Sequence, residues 1–492
     1  MTNTNNSGNR ALLQKIARNA MLDKGFLIDF PSQAIDVLNT MQEKKPMIAE
    51  PVRDLKNLSW CSIDNDDSED LDQLSVAIGM PSGEVKILVA IADVDSVADK
   101  NSVFEDHARH NSTSVYTSAQ IFPMLPEKLS TDLTSLKYDA DRSAIVVEFV
   151  VADDGSMKDS LIYPAIVHNK AKLAYNSLSA WLEGNAKIPQ EVARVIGLDE
   201  NLRLQYGAAK KLKVLRYSCG ALNLETVEAR PVFQGDEVSG LNEERMNEAK
   251  DIIQEFMICA NSITARFLSS ANSPSIRRVV REPKRWDRII ELASGWKFSL
   301  PAQPDSKALD EFLLSAKSTD PLRFPDLSLS VIKLLGAGEY VVELPGEKSA
   351  GHFGLAIKDY THSTAPNRRY PDLITQRLLK SVLYKTPVPY STTDLASLAS
   401  HCTTMEDGAK KVERQVEKST AALLLGGSIG HQYEGIITGV SDKGTWVRIL
   451  HPPVEGKIVS GFEGLDVGNR VRVQLLHTDI NRGFIDFKHV NT

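Results

Sequence analysis

Hydrophobic residues recur with two different periods along this chain, and each change of period marks a change of structure. Over residues 11–26, Leu12, Leu13, Ile16, Ala17, Met21 and Leu22 return every three to four positions, which predicts an amphipathic helix. A weaker helical pattern covers 31–42, and the polar, proline-containing stretch 44–51 predicts a linker. Residues 1–10 are polar and predict no regular structure. The period then shortens. Residues 58–63 and 74–78 are enriched in β-branched, aromatic and aliphatic side chains and predict strands. The run 85–94 is almost continuously apolar, which predicts a central strand covered on both faces, with Asp93 at its end. A polar helix over 101–109, a strand over 143–151 and helices over 243–268, 372–383 and 394–425 follow. In the first of these long helices Met246, Ile252, Ile253, Phe256, Met257, Ala260 and Ile263 share one face.

Beyond residue 430 the pattern changes again. About five short strands separated by turns occupy roughly sixty residues, which predicts a small closed barrel of the OB type. The expected class is α+β. A short helical region (1–50) precedes a large mixed α/β domain (51–425), and a five-stranded barrel (430–492) closes the chain.

Between the strands predicted at 58–63 and 74–78 lies the most unusual local composition: six carboxylates in the nine residues from Asp64 to Asp72. Such crowding is costly unless a cation sits among the acids, and hard oxygen donors suit magnesium or manganese. A solvated acidic turn is the competing reading. A helix-loop-helix calcium loop counted from Asp64 fails, because Glu69 stands where that loop needs glycine and Ser75 where it needs glutamate.

Charge and cysteine content narrow the picture. With a net charge of −7, nucleic-acid binding has to come from local basic patches. Cys61, Cys219, Cys259 and Cys402 have no metal-ligand spacing and read as reduced, buried thiols. The polar N-terminus and the absence of a membrane-length apolar run predict a cytoplasmic protein with no membrane partner. Two basic stretches stand out. Arg277, Arg278, Arg281, Lys284, Arg285 and Arg288 surround Trp286, and predict either a nucleic-acid contact or a solvated helix face. Arg368 and Arg369 lie between Pro366 and Tyr370; paired guanidinium forks suit phosphate, and equally suit capping the helix that follows. In the barrel, Tyr433, Trp446 and Phe484 are candidates for stacking on bases, or for ordinary core.

Taken in order, these segments resemble the ribonuclease II / ribonuclease R (RNB) family of exoribonucleases over roughly residues 55–490. The resemblance rests on Asp64, Asp70 and Asp72, Ile91-Ala92-Asp93-Val94, Thr113-Ser114-Val115-Tyr116 and Pro123-Met124-Leu125-Pro126. It continues through Glu255-Phe256-Met257, His352-Phe353-Gly354-Leu355 and the block from Pro366 to Asp372. It implies hydrolysis of single-stranded RNA from its 3′ end, with release of nucleoside 5′-monophosphates. It further implies that Asp64, Asp70 and Asp72 hold magnesium, with Asp72 and Arg368 catalytic, and that Tyr116 stacks on the terminal base. Arg369 and Glu413 would lie by the RNA, Glu413 through the pair Glu413-Arg414.

Two departures follow from the same resemblance. Gln73 stands where the family has a fourth aspartate, so metal affinity should fall; an RNA-binding protein with weakened or lost turnover is the alternative. The family also carries two cold-shock-type barrels before the catalytic domain, whereas about fifty residues of helical pattern stand there here. A protein partner held through those helices would be one way to restore grip on RNA.

Overall fold

A computed structural model describes residues 8–41, 51–226, 228–347 and 349–490. The linker expected over 44–51 lies almost wholly outside these residues, as do the first seven of the ten expected to lack structure. A seven-stranded sheet organises the large domain, in the order Arg53–Asp54, Met157–His168, Asp141–Val151, Val85–Ala92, Gln73–Gly79, Cys61–Asp64, Ala171–Ala174. Its middle is antiparallel, while each outermost strand pairs in parallel with its neighbour. Val85–Ala92 is central and almost fully buried, as its unbroken apolar run requires. Helices Leu198–Ser218 and Glu248–Ser270 pack on the sheet. Met246, expected on the buried face of the latter helix, precedes it and is exposed.

Helix Tyr370–Leu383 runs through the interior and is buried along nearly its whole length. Arg377 ties it to the sheet side: the guanidinium donates to Asp95, Glu105, the Ala98 carbonyl and Tyr390. Lys380 pairs with Asp93 at 3.0 Å, so the acid at the end of the central strand is structural. Helix Thr392–Leu425 starts in a capping box formed by Ser391 and Asp394 and continues to the barrel.

Helices Trp286–Gly295, Ser306–Thr319 and Phe324–Leu335 form a smaller layer with its own core around Phe312 and Phe324. Here the basic stretch 277–288 divides into a buried and an exposed part. Arg277 and Arg278 sit in the buried strand Ser275–Val279, paired with Glu343 and Glu406, and Trp286 is buried in the helical layer. Strand burial, with a carboxylate for each guanidinium, takes Arg277 and Arg278 off the surface, whereas Arg281, Lys284, Arg285 and Arg288 are exposed, Arg288 on the solvated face of helix Trp286–Gly295. Cys219 is exposed, against expectation, while the other three cysteines are buried.

The C-terminal strands Gln432–Ser441, Gly444–Ile449, Val454–Ser460, Arg470–Asp479 and Phe484–His489 close into a five-stranded barrel of the OB type. Its interior is filled by alternate residues such as Ile437, Val447, Val473, Leu475 and Phe487. Gly456 is required there, because a Cβ would collide with the Phe487 ring. Arg448 binds Asp326 through two bonds of 2.8 and 2.7 Å, bracing the barrel against the helical layer.

Candidate active site

The acidic turn divides its six carboxylates by direction. Asp66, Asp67 and Glu69 are exposed, Asp64 and Asp70 are half-buried, and Asp72 is only 2% exposed. The backbone enforces this division. Ser135 Oγ donates to the Glu69 carbonyl (2.7 Å) and accepts from Leu71 N–H (3.1 Å), and Leu136 N–H donates to the Leu71 carbonyl. Ala92 N–H closes on the Asp72 carbonyl at 2.9 Å, joining the end of the turn to the central strand. Leu71, buried between the two inward acids, anchors the segment in the core.

Asp72 meets residues almost three hundred positions away. Its carboxylate accepts from Asn367 N–H at 3.0 Å and from Arg368 Nε at 3.2 Å. Tyr116, on the short strand Val115–Tyr116, donates its hydroxyl to Asp70, and its backbone N–H donates to Glu413 at 3.0 Å. Arg368 and Tyr116, with Arg369 and Glu413, line a cavity of about 170 Å³. Arg369 is held at 2.7 Å by Asp372 in the first turn of its own helix, so the adjacent arginines have different partners.

Burial pushes the Asp72 carboxyl up to about 7, with Asp70 adding to the rise and Arg368 opposing it. Asp64 is also raised by burial, although Asn65 N–H and Ser68 Oγ donate to it at 2.7 and 2.9 Å. These are carboxylates whose ionised form lacks sufficient positive charge nearby, and hard oxygens short of a cation fit magnesium or manganese. Among the described residues no three acidic, histidine or cysteine side chains converge as a closed cage. Gln73 opens the strand after the turn and is half-buried.

Tyr175 was not singled out in the sequence. It starts helix Tyr175–Leu182, directly after a strand that pairs Ala174 with Asp64, and its charge interactions are with Asp64 and Arg368. Burial raises its hydroxyl well above the usual tyrosine range. The barrel aromatics lie outside the cavity lining. Phe484 is 54% exposed, Trp446 is half-buried, and Tyr433 packs partly against the barrel core at 6.3 Å from Phe487.

Comparison with known proteins matches this geometry to a family. Residues 52–385 match the RNB domain, and residues 431–490 match the RNase II-type exonuclease C-terminal S1 domain. Ribonuclease R of Vibrio parahaemolyticus is 28% identical over 479 residues, covering 89% of this chain and 56% of that protein. Ribonuclease R of Escherichia coli is 29% identical over 436 residues, covering 85% of this chain and 52% of that protein. The chain thus spans about half the length of these relatives. Among solved structures, Mycoplasma genitalium RNase R in complex with ribose-methylated single-stranded RNA superposes with a TM-score of 0.86. It is 22% identical, and the match covers 97% of this chain and 78% of that one. With the RNB domain matched across two-thirds of its length, its strands in the order described and the barrel in place, this chain belongs to the RNB family.

Proposed function

We propose that this protein is a hydrolytic 3′-to-5′ exoribonuclease acting on single-stranded RNA, releasing nucleoside 5′-monophosphates with the help of a divalent metal. The observation that carries this reading is the meeting of Arg368 with Asp72 across the fold, beside Tyr116 on Asp70. Family membership and the RNA-bound relative support the same reading.

Each side chain then has a task set by its surroundings. Asp64, Asp70 and Asp72, assisted by the Gln73 carboxamide, would hold magnesium or manganese. That ion would neutralise the scissile phosphodiester and lower the pKa of an attacking water. Arg368 has its Nε–H committed to Asp72 while 43% of the side chain stays exposed, so the guanidinium faces the cavity at a fixed angle. From there it stabilises charge developing on the phosphate oxygens. Tyr116 presents an exposed ring against which the terminal base stacks, a contact that reads no sequence. Phe484 on the barrel is the best placed of the three barrel aromatics to stack on an upstream base, being the most exposed.

The test is a 5′-labelled single-stranded RNA incubated with magnesium or manganese. Stepwise shortening from the 3′ end is expected. A mobility shift without shortening would leave an RNA-holding protein, the alternative that Gln73 raises.

A further inference from the structure

We infer that the N-terminal helix Asn9–Asp23 and the turn after it are a positioning element for the active site, fixing the hairpin that carries Tyr116. This rests on the terminal-base role proposed above for Tyr116. The hairpin consists of two strands of two residues each, Val115–Tyr116 and Ile121–Phe122, too short to hold a geometry alone. Its two faces do different things. Tyr116 points to Asp70, while Val115, Ala119 and Phe122 enter a hydrophobic cluster whose other walls are the N-terminal helix and helix Thr392–Leu425. Leu13, Ala17 and Met21 of the N-terminal helix are fully buried in that cluster. Removing them would open one wall of the cluster beneath the tyrosine hairpin to water.

A second connection runs through the backbone. The Asn111 carboxamide clamps Leu27, accepting from its N–H at 2.9 Å and donating to its carbonyl at 2.8 Å. His110 Nε2 lies 2.8 Å from the Gly25 carbonyl. Directly after Asn111, the Ser112 carbonyl accepts from Tyr370 N–H at 2.8 Å, and Ser114 N–H donates to the Arg368 carbonyl at 2.9 Å. The segment from His110 to Tyr116 is therefore held at one end by the N-terminal region. At its other end it touches both Arg368 and the acidic turn. Tyr116 and Arg368 keep their spacing because one short piece of chain is fastened at both ends.

The readout is a 3′-terminal 2-aminopurine in a single-stranded oligonucleotide, bound to the full chain in EDTA so that no hydrolysis occurs. Stacking quenches this base, and Tyr116→Ala should abolish the quench, which ties the signal to that ring. Met21→Ser is expected to lose most of the quench while affinity for a long RNA stays unchanged; Met21→Leu should restore it. Asn111→Ala, which releases the Leu27 backbone and a 3.5 Å contact with His107 Nε2, should weaken the quench with the helix core intact, and serves if Met21→Ser does not fold. A quench kept in both folded variants, yet lost in Tyr116→Ala, overturns the inference. Whether the unaltered protein shortens RNA in magnesium is scored separately, and failure there strikes the proposed activity alone.

Discussion

Asp72→Asn separates stability from catalysis, and the structure gives the size of the separation. The Asp72 carboxyl is raised from 3.8 to about 7, chiefly by burial. At ~1.4 kcal/mol per pH unit, keeping it ionised above pH 7 costs roughly 4 kcal/mol when no metal is bound. The sign follows from proton counts. Between about pH 4 and 7 the folded state holds a proton that the unfolded state has lost, so stability falls as pH rises and the cost is complete above about 7. Asparagine removes the charge but offers one acceptor oxygen to two donors, Asn367 N–H and Arg368 Nε. The donor left unpaired costs about 1–3 kcal/mol. In EDTA at pH 8 the variant is therefore expected to be more stable than the parent by roughly 1–3 kcal/mol. At pH 5 the parent's cost has shrunk to about 2 kcal/mol, and the advantage should vanish or reverse. Urea unfolding followed by circular dichroism at both pH values measures this. On the proposed mechanism hydrolysis should drop by about 10²–10³-fold or more, since the charge beside Arg368 that would help hold a metal is gone. A variant less stable than the parent at pH 8 in EDTA would refute the reasoning, because ionised Asp72 would then be no burden to the fold.

Gln73→Asp should lower the magnesium concentration for half-maximal activity; a metal titration that shows no change removes Gln73 from the ion's surroundings. His352 is half-buried, its Nδ1 accepting from Leu355 N–H, and desolvation lowers its pKa from 6.5 to about 4. Unfolded protein takes up this proton as pH falls below about 6.5 while folded protein resists until about 4, so up to ~3 kcal/mol of stability is lost over that window. His352→Gln should flatten that part of the pH–stability curve, as read by denaturant midpoints. Arg377→Met should cost about 3–5 kcal/mol by leaving the largely buried Glu105 without its cation and Asp95 with Lys380 alone, a loss visible in chemical denaturation.

What the sequence made legible was whatever depends on local pattern. The apolar run at 85–94 announced a central strand, the three-to-four spacing announced the long helices, and regular turns announced the barrel. The inward acids could be named because their resemblance to a family spacing was specific. Their separation from Asp66, Asp67 and Glu69 could not be derived, since it depends on Ser135 and Leu136 reaching the turn from more than sixty residues away. Tyr175 stayed hidden for the same reason: it joins the site only through the parallel register of Ala174 with Asp64. The basic run 277–288 misled in part. Composition suggested a surface, which holds for Arg281, Lys284, Arg285 and Arg288, but the carboxylates that neutralise the buried Arg277 and Arg278 come from Glu343 and Glu406, distant in sequence.

The two-pronged grip of Arg448 on Asp326 has a consequence for substrate length. Helix Thr392–Leu425 already fixes the barrel on one side, and this contact fixes it on another, so the barrel cannot swing freely. On the proposed reading, the gap between the exposed Phe484 ring and the cavity beside Arg368 would then work as a ruler. A strand long enough to bridge it would be held at two points, and one trimmed below that span would be held at one and let go.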